Sequence, residues 1–543
     1  MRASISLLLL SFSLSLHAAE LPPLGEKAPP WAASLGHGAV ATAEKRDGRW
    51  VFAIAGQPFA AEHAGVPPER VLFEIGSISK VFTGILLADA VLDGTLSLDD
   101  SLAKRLPVKF AEPATGAITL RQLATHTSCL PGMPDNLTDF TVPDPFAQYD
   151  DKALFESLGR TKLAKNPPCE SNYSNLGFGT LGVVLERAYG KPWALLVQEK
   201  ITGPLGMADT AQELSAEQQS RFVAPWQGAE PAHPWTAKAM SGAGGLRSTL
   251  ADLSQLADAL LAGANGPLGK VWPLLAGDLA DIPAGGKIGL ALMHTRMGGE
   301  DGYWHNGGTA GSQSLFVVWP ASGRAAILLA SNGAADPGAW LAAWRASGLP
   351  AVHRVEIALP PAVLDEYAGV YSVGTQAHFT ILRRGEGLIA RLPGQTFVPI
   401  FASAKDETFL KVVDAQLSFR RDASGKIAGL TLHQNGLEIS ATRDAGPAPH
   451  IEFPGAAALA DYVGVYDYGQ IKPGDTLTIT QEGEQLRARH TGQALPVFSV
   501  GKDRFEYDAD LAVASLTFER DAAGKITAAV LHHGGQEIRA PRR

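Results

Sequence analysis

Gly76-Ser77-Ile-Ser-Lys80 sets a hydroxyl and an amine three positions apart. The stretch from Phe73 that precedes them is strand-like. Val81, Ile85, Val91 and Leu92 then follow at helical spacing until Gly94, so the pattern predicts a helix with Ser77 in its first turn. Residues three apart share a helix face, which puts Lys80 beside the Ser77 hydroxyl. A buried Lys with a depressed pKa can take the hydroxyl proton, and a helix N-terminus favours the negative charge that develops on oxygen. That is the chemistry of an activated serine attacking a carbonyl carbon. The spacing alone is a weak signal, because Ser101-Leu-Ala-Lys104 and Ser499-Val-Gly-Lys502 repeat it. Gly76, the following helix and the later partners single out Ser77.

Glu170-Ser-Asn-Tyr173-Ser-Asn175 supplies the next groups, and of the ten tyrosines only Tyr173 has Asn two positions on. A phenol whose pKa is lowered by a nearby ammonium can shuttle a proton, and the Asn175 amide can hold a substrate carbonyl or amide. Taken alone, such a pair is more often a core Tyr and a turn Asn. The third element is Trp304-His305-Asn-Gly307-Gly308-Thr309, followed by the strand-like Ser314–Trp319. Glycines at a strand edge let a ligand backbone approach, and a donor or cation there can receive a carboxylate. His-x-Gly also occurs at His63, His490, His532 and His533, so only the double glycine, the aromatic neighbour and the strand distinguish His305. Gly308 can offer an N–H to a developing oxyanion alongside that of Ser77.

Ser77-x-x-Lys80, Tyr173-x-Asn175 and His305-x-Gly307, in that order, resemble the serine β-lactamase and penicillin-binding-protein superfamily, and within it the class C β-lactamase branch with its esterases, D-Ala carboxypeptidases and D-aminopeptidases. His126-Thr-Ser-Cys-Leu-Pro131, Ala243–Thr249 with Asp252-Leu253, and Ser331-Asn332 are similar to further stretches of that family, so the match spans nearly all of residues 30–340. The resemblance implies Ser77 as nucleophile, Lys80 and Tyr173 as the proton-transfer pair, and Asn175, His305, Gly307 and Gly308 as substrate contacts. It implies no metal and no cofactor. Two positions depart from the pattern. His305 stands where many β-lactamases carry Lys, and with a reference pKa of about 6.5 it is a weaker cation for a β-lactam carboxylate. Cys129 and Cys169 stand where relatives commonly have Gly, and a bridge between them would tether the loops framing the pocket.

The elements that must hold these residues come from a chain of 543 residues with 45% hydrophobic and 19% charged composition, large enough for several ordered domains. The net charge of −9 is spread along the chain without a basic block, which argues against a nucleic-acid partner; the family resemblance implies a small-molecule or peptide substrate instead. Arg2, the apolar run Ile5–Leu16 and His17-Ala-Ala19 read as a signal peptide over residues 1–19. The run is shorter than the ~20 residues a bilayer span needs, so no integral membrane segment is expected after its removal. The expected location is periplasmic or secreted. In such an oxidising compartment the two cysteines, Cys129 and Cys169, read as one disulfide, with two buried thiols as the alternative.

Residues 20–350 mix helical and strand patterns and form the expected serine hydrolase domain, followed by a linker at 351–361 containing Pro360-Pro361. Beyond it the pattern turns all-β and repeats. Tyr367-Ala-Gly-Val-Tyr371 recurs as Tyr462-Val-Gly-Val-Tyr466, and Phe419–Ile427 recurs as Phe518–Ile526, with most of the length difference assigned to Ile471–Gly474. Asp-Ala-Ser-Gly and Asp-Ala-Ala-Gly mark a hairpin turn in each copy. The expected fold class is α+β: a β-lactamase-like catalytic domain, with a helical lobe and an antiparallel-sheet lobe, then two small all-β repeats at 362–445 and 455–543. Period-2 alternation does not separate barrels from sandwiches. The layout is similar to D-aminopeptidases with lipocalin-like barrels. Three readings of function stay open: hydrolysis of β-lactams or D-amino-acid peptides, a carboxylesterase with the same residues, and a slowly turning-over penicillin-binding sensor.

Overall fold

The computed structural model of the chain describes residues 21–57, 65–137, 144–282, 286–297, 300–346, 354–373, 377–391, 396–411, 415–434, 437–469, 476–489, 494–507, 514–533 and 536–543. The expected signal peptide, His63, His490 and Ile471–Gly474 lie outside these residues. The chain divides at residues 352 and 353 into two compact units. Of the expected linker, residues 354–360 carry no helix or strand, and Pro361 opens a helix.

The first unit is built on an eight-stranded antiparallel sheet. From edge to edge its strands are Arg49–Gln57, Gly38–Arg46, Arg324–Ala330, Gln313–Trp319, Glu300–Gly308, Met293–Met297, Gly286–Ile288 and Ala280–Ile282. Alternation along the central strands sends Phe316, Val318, Ile327 and Leu329 into a core shared with the helices Ser79–Leu92 and Leu250–Leu261. Leu315, Val317, Trp319 and Leu328 point the other way, onto Leu341 and Trp344 of the helix Pro337–Ala346. Covering both faces explains why these strands read as unbroken apolar runs.

The helix Ser79–Leu92 is buried along its length except at Asp89, Val91 and Leu92, which makes it the axis of the helical lobe. Gly94, at φ 79°, follows its end as the sequence predicts. Ser77 lies just before this helix, in a 3₁₀ turn over Gly76–Ile78, rather than within its first α-helical turn.

The second unit contains two barrel-like sheets of eight strands each, every strand pairing antiparallel with the next in sequence. In the first, strands from Gly369–Val373 to Leu437–Arg443 close into a barrel through Tyr371 with Arg443 and Ser372 with Thr442. In the second, strands from Gly464–Asp467 to Gln536–Pro541 are brought round by a bridge between Tyr466 and Arg542. Closure pairs the edges that such short strands would otherwise expose. The interiors are filled by side chains, among them Tyr371, Phe379 and Phe419 in one and Tyr466, Phe505 and Phe518 in the other. The predicted turns are present: Asp422 Oδ1 accepts the N–H of Ser424 and of Lys426, and Asp521 Oδ1 accepts those of Ala523 and Lys525. The hairpin set by Gly464 and Ile479 is three residues longer than its counterpart set by Gly369 and Ile381, which locates most of the inserted length.

Candidate functional site

Ser77, Lys80, Tyr173, Asn175, His305, Gly307 and Gly308, from three distant segments, come together in the first unit. Two glycines allow it. A Cβ on Gly307 would lie 2.0 Å from the Ile75 carbonyl oxygen and 2.9 Å from Ser77 N, and one on Gly76, at φ 49°, would lie 2.6 Å from Gly308 N. The end of the strand Glu300–Gly308 therefore runs backbone to backbone against the turn that carries Ser77.

Lys80 is wholly buried. Its Nζ lies 2.8 Å from Ser77 Oγ, 2.8 Å from Asn175 Oδ1 and 2.6 Å from the Ala243 carbonyl oxygen. No carboxylate accompanies it in these contacts, and burial holds its pKa well below the ordinary lysine value. A neutral amine has two N–H groups and one lone pair. Asn175 Oδ1 and the Ala243 carbonyl can only accept and so take both hydrogens, which leaves the lone pair for the Ser77 hydroxyl proton. Asn175 is held in this orientation from its other end, where Nδ2 lies 3.4 Å from Met133 Sδ.

Tyr173 immediately precedes Ser174, whose hydroxyl caps the helix Asn175–Tyr189 by accepting from Gly177 N–H and itself donates to the Pro131 carbonyl. The Tyr173 ring centre is 4.8 Å from Lys80 Nζ. Here the sequence expectation is corrected: desolvation raises the phenol above its usual value, with hydrogen bonding to Ser77 only opposing it. With its pKa raised by desolvation, Tyr173 is a protonated donor rather than a phenolate at neutral pH.

His305 is also wholly buried. Its Nδ1 is 2.5 Å from the Asn306 carbonyl and so carries the proton, and burial, reinforced by Lys80, pushes its pKa down to about 3. The third motif is therefore a neutral imidazole at physiological pH. His126, which the sequence offered only as context, packs against Tyr173 with ring centres 4.5 Å apart and the ring planes tilted by 36°, and its Nδ1 accepts the Ser174 N–H at 3.1 Å. Burial again holds its pKa well below the ordinary value.

Cys129 and Cys169 form the expected disulfide, with Cα atoms 5.4 Å apart. The loop from Thr125 and the run into Tyr173 are joined beside it: Cys169 N–H donates to the Thr127 carbonyl and Asn172 N–H to the His126 carbonyl. The other Ser-x-x-Lys pairs have different settings. Ser101 caps a short helix while Lys104 pairs with Asp100, and Ser499 sits in a barrel strand. The context stretches act structurally: Thr249 caps the helix Leu250–Leu261, and Asn332 Nδ2 bridges the carbonyls of His37 and Gly228.

Sequence reasoning gave no role to Glu74, Thr309, Trp235 or Arg247. Glu74 is buried, accepts the Trp235 N–H and the Thr309 hydroxyl, each at 2.8 Å, and faces Arg247 at 3.6 Å. Its signal was a lone acid within the apolar run Val71–Ile75. Among the described residues no three His, Cys, Asp or Glu side chains gather as a metal site, and no helix is long and apolar enough to cross a membrane.

The chain is similar to several known proteins. The D-alanyl-D-alanine-carboxypeptidase/endopeptidase AmpH of Escherichia coli is 36% identical over 182 residues, 33% of this chain and 46% of that protein. Esterase EstB of Burkholderia gladioli is 31% identical over 186 residues, 32% of this chain and 47% of that protein. The matches span about half the length of these curated relatives. The crystal structure of a β-lactamase from Sulfitobacter sp. EE-36 shares the fold, with a TM-score of 0.51 at 19% identity over 58% of this chain and 94% of that one. In the second unit, residues 353–445 match a domain of unknown function (DUF3471). Residues 32–348, more than half of the sequence, match the Beta-lactamase family model, and the chain belongs to the β-lactamase family.

Proposed function

We propose that this chain is an exported serine hydrolase that forms an acyl intermediate on Ser77 from D-alanyl peptides, β-lactams or related amides and esters. The observation that carries the reading is the wholly buried Lys80 amine, its pKa held well below the ordinary lysine value by burial, 2.8 Å from the Ser77 hydroxyl and bonded on its other sides to the acceptors Asn175 Oδ1 and the Ala243 carbonyl. Lys80 takes the Ser77 proton as Oγ bonds to the substrate carbonyl carbon. The oxyanion forms between the backbone N–H groups of Ser77 and Gly308, and the protonated Tyr173 supplies the proton to the leaving group as its bond breaks. The Lys80 ammonium then returns a proton to Tyr173, and water releases the acyl group by the reverse sequence. Relatives named as a carboxypeptidase/endopeptidase and as an esterase support this substrate range.

Export rests on the apolar run Ile5–Leu16 and on the disulfide, which suits an oxidising compartment. The division into 20–350, 362–445 and 455–543, with the two repeats read as lipocalin-like, belongs to the same proposal; the eight sequential strands of each repeat support it.

Mass spectrometry of the intact protein after incubation with a penicillin, and separately with a D-Ala-D-Ala peptide, tests the reading. An adduct on the native chain that is missing from Ser77→Ala is expected. An adduct of equal yield on Ser77→Ala would overturn it.

A second reading, hydrolysis of uncharged esters, is favoured by His305, whose neutral imidazole offers no cation to a substrate carboxylate. Specificity constants for an acetate ester and a D-Ala-D-Ala peptide on one preparation separate the two: preference for the ester supports this reading, and preference for the peptide removes it.

A further inference from the structure

Glu74 costs the protein something to keep. A carboxyl group buried to 3% exposure, with its guanidinium partner offset at 3.6 Å, loses solvation that the pair does not restore. Burial accordingly raises its pKa, against the hydrogen bonds from Trp235 and Thr309 and the charge of Arg247, while Asp144 adds to the rise. An apolar residue would fit the run Val71–Ile75 without that cost, so the geometry around Glu74 points to a task.

The carboxyl reaches the segments that wall the reacting groups. Oε2 accepts from Thr309 Oγ1, and Thr309 directly follows Gly308. Oε1 accepts from Trp235 N–H, and Arg247 Nη2, facing the same oxygen, also donates to the Trp235 carbonyl. Glu74 itself is paired in register with Arg247 and stands three residues before Ser77. Ser314 Oγ donates to the Ile75 carbonyl at 2.9 Å, so the strand after the glycines is bonded to the same short segment. No ladder hydrogen bonds join Phe73–Glu74 to the strand Glu300–Gly308, because they belong to different sheets. The Glu74 side chain supplies that link through Thr309, while the Ser314 side chain ties the neighbouring strand to Ile75.

We propose that Glu74 is a positioning residue: by holding Thr309 it sets the separation between the Ser77 turn and the Gly308 backbone, and so the width of the oxyanion site. The proposal rests on the acyl-Ser77 reading given above. An oxyanion site works only when both N–H donors meet the oxygen at hydrogen-bond distance, so a small drift of the Gly308 strand lowers the acylation rate while leaving substrate binding nearly unchanged.

The test measures the first-turnover release of p-nitrophenol from p-nitrophenyl acetate by the full chain, with the active fraction counted by a fluorophosphonate titrant. Thr309→Val removes the hydroxyl at constant shape, and Glu74→Met removes the carboxyl. Each is expected to lower the acylation rate about tenfold or more, with KM within about twofold. Thr309→Ser restores the hydroxyl, and Glu74→Gln can still accept from Trp235 and donate to Thr309, so both should stay within about threefold of the native rate. The double variant Glu74→Met/Thr309→Val should be no slower than the slower single variant, since the two act through one contact. Thr309→Val at the native rate, or Thr309→Ser as slow as Thr309→Val, with an inactive Ser77→Ala control, would overturn the proposal alone. Native release by Ser77→Ala would overturn the acyl-Ser77 reading and this proposal together.

Discussion

Glu74 in the first unit and Asp406 in the first barrel are both carboxylates facing an arginine, and their electrostatic fates are opposite. Arg421 reaches Asp406 through Nε at 2.9 Å and through Nη2 at 2.7 Å, Tyr367 donates to the same carboxylate, and the pair keeps about a fifth of its surface in water. Those bonds, Arg421 first, hold Asp406 below the ordinary carboxylate value. The second barrel repeats the arrangement with Asp503, Arg520 and Tyr462. At Glu74 the guanidinium is farther away and water is excluded, so desolvation wins and the pKa rises. The barrels use charge as a fastening between strands and the opening helix. The pocket instead strips its titratable groups of charge: Lys80, His126 and His305 are all pushed toward their neutral forms.

Substitutions should divide along that line. The largest effect is expected for Lys80→Arg. A guanidinium stays protonated and cannot accept the Ser77 proton, so turnover should fall on the order of a thousandfold. Steady-state kinetics on any accepted ester check it, and near-native turnover would break the comparison at its centre.

Removing the disulfide by Cys129→Ala with Cys169→Ala comes next. It frees a loop with a sequence separation of 40 and should lower the stability of the first unit by about 2–4 kcal/mol, read by denaturant unfolding of the full chain. Asp406→Asn leaves Arg421 facing an uncharged amide and should cost the first barrel about 1–2 kcal/mol. The matching Asp503→Asn should cost the second barrel a similar amount if the two triads are equivalent.

The smallest effect is the most discriminating. Asp406 has a folded pKa below its unfolded value, so its contribution is present above about pH 4 and is lost as pH falls through the folded value. The stability gap between native protein and Asp406→Asn should therefore narrow on acidification. Glu74, with a raised folded pKa, has the reverse sign: its contribution is fully present below the unfolded carboxyl value and is lost as pH rises through the folded one. The gap between native protein and Glu74→Gln should shift in the opposite direction over the acid range. Parallel pH dependences for the two pairs would erase the distinction drawn here.

Much of the site was legible in the residues themselves. Ser77 and Lys80 lie three apart on a chain bound to coil there, so their contact is local and spacing predicts it. The repeat was legible as well, because both copies keep the same turn residues and paired tyrosines. Tyr173, Asn175 and His305 could be joined to Ser77 only through a resemblance, since nothing local says that they meet it. The pairing of Glu74 with Thr309 escaped notice because it joins residues 235 positions apart, one in a short strand and the other just past the end of a strand in a different sheet.

The sequence by itself determined which groups could react, the order of the motifs and the duplication of an all-β module. Only the tertiary structure decided how those groups are charged and how the modules close. Charge depends on how much water and which partners surround a side chain, as the opposite shifts of Glu74 and Asp406 demonstrate. It also reversed the direction expected for the Tyr173 phenol. Barrel closure depends on first and last strands meeting, as Tyr371 meets Arg443, and an alternating pattern within each strand carries no information about that encounter.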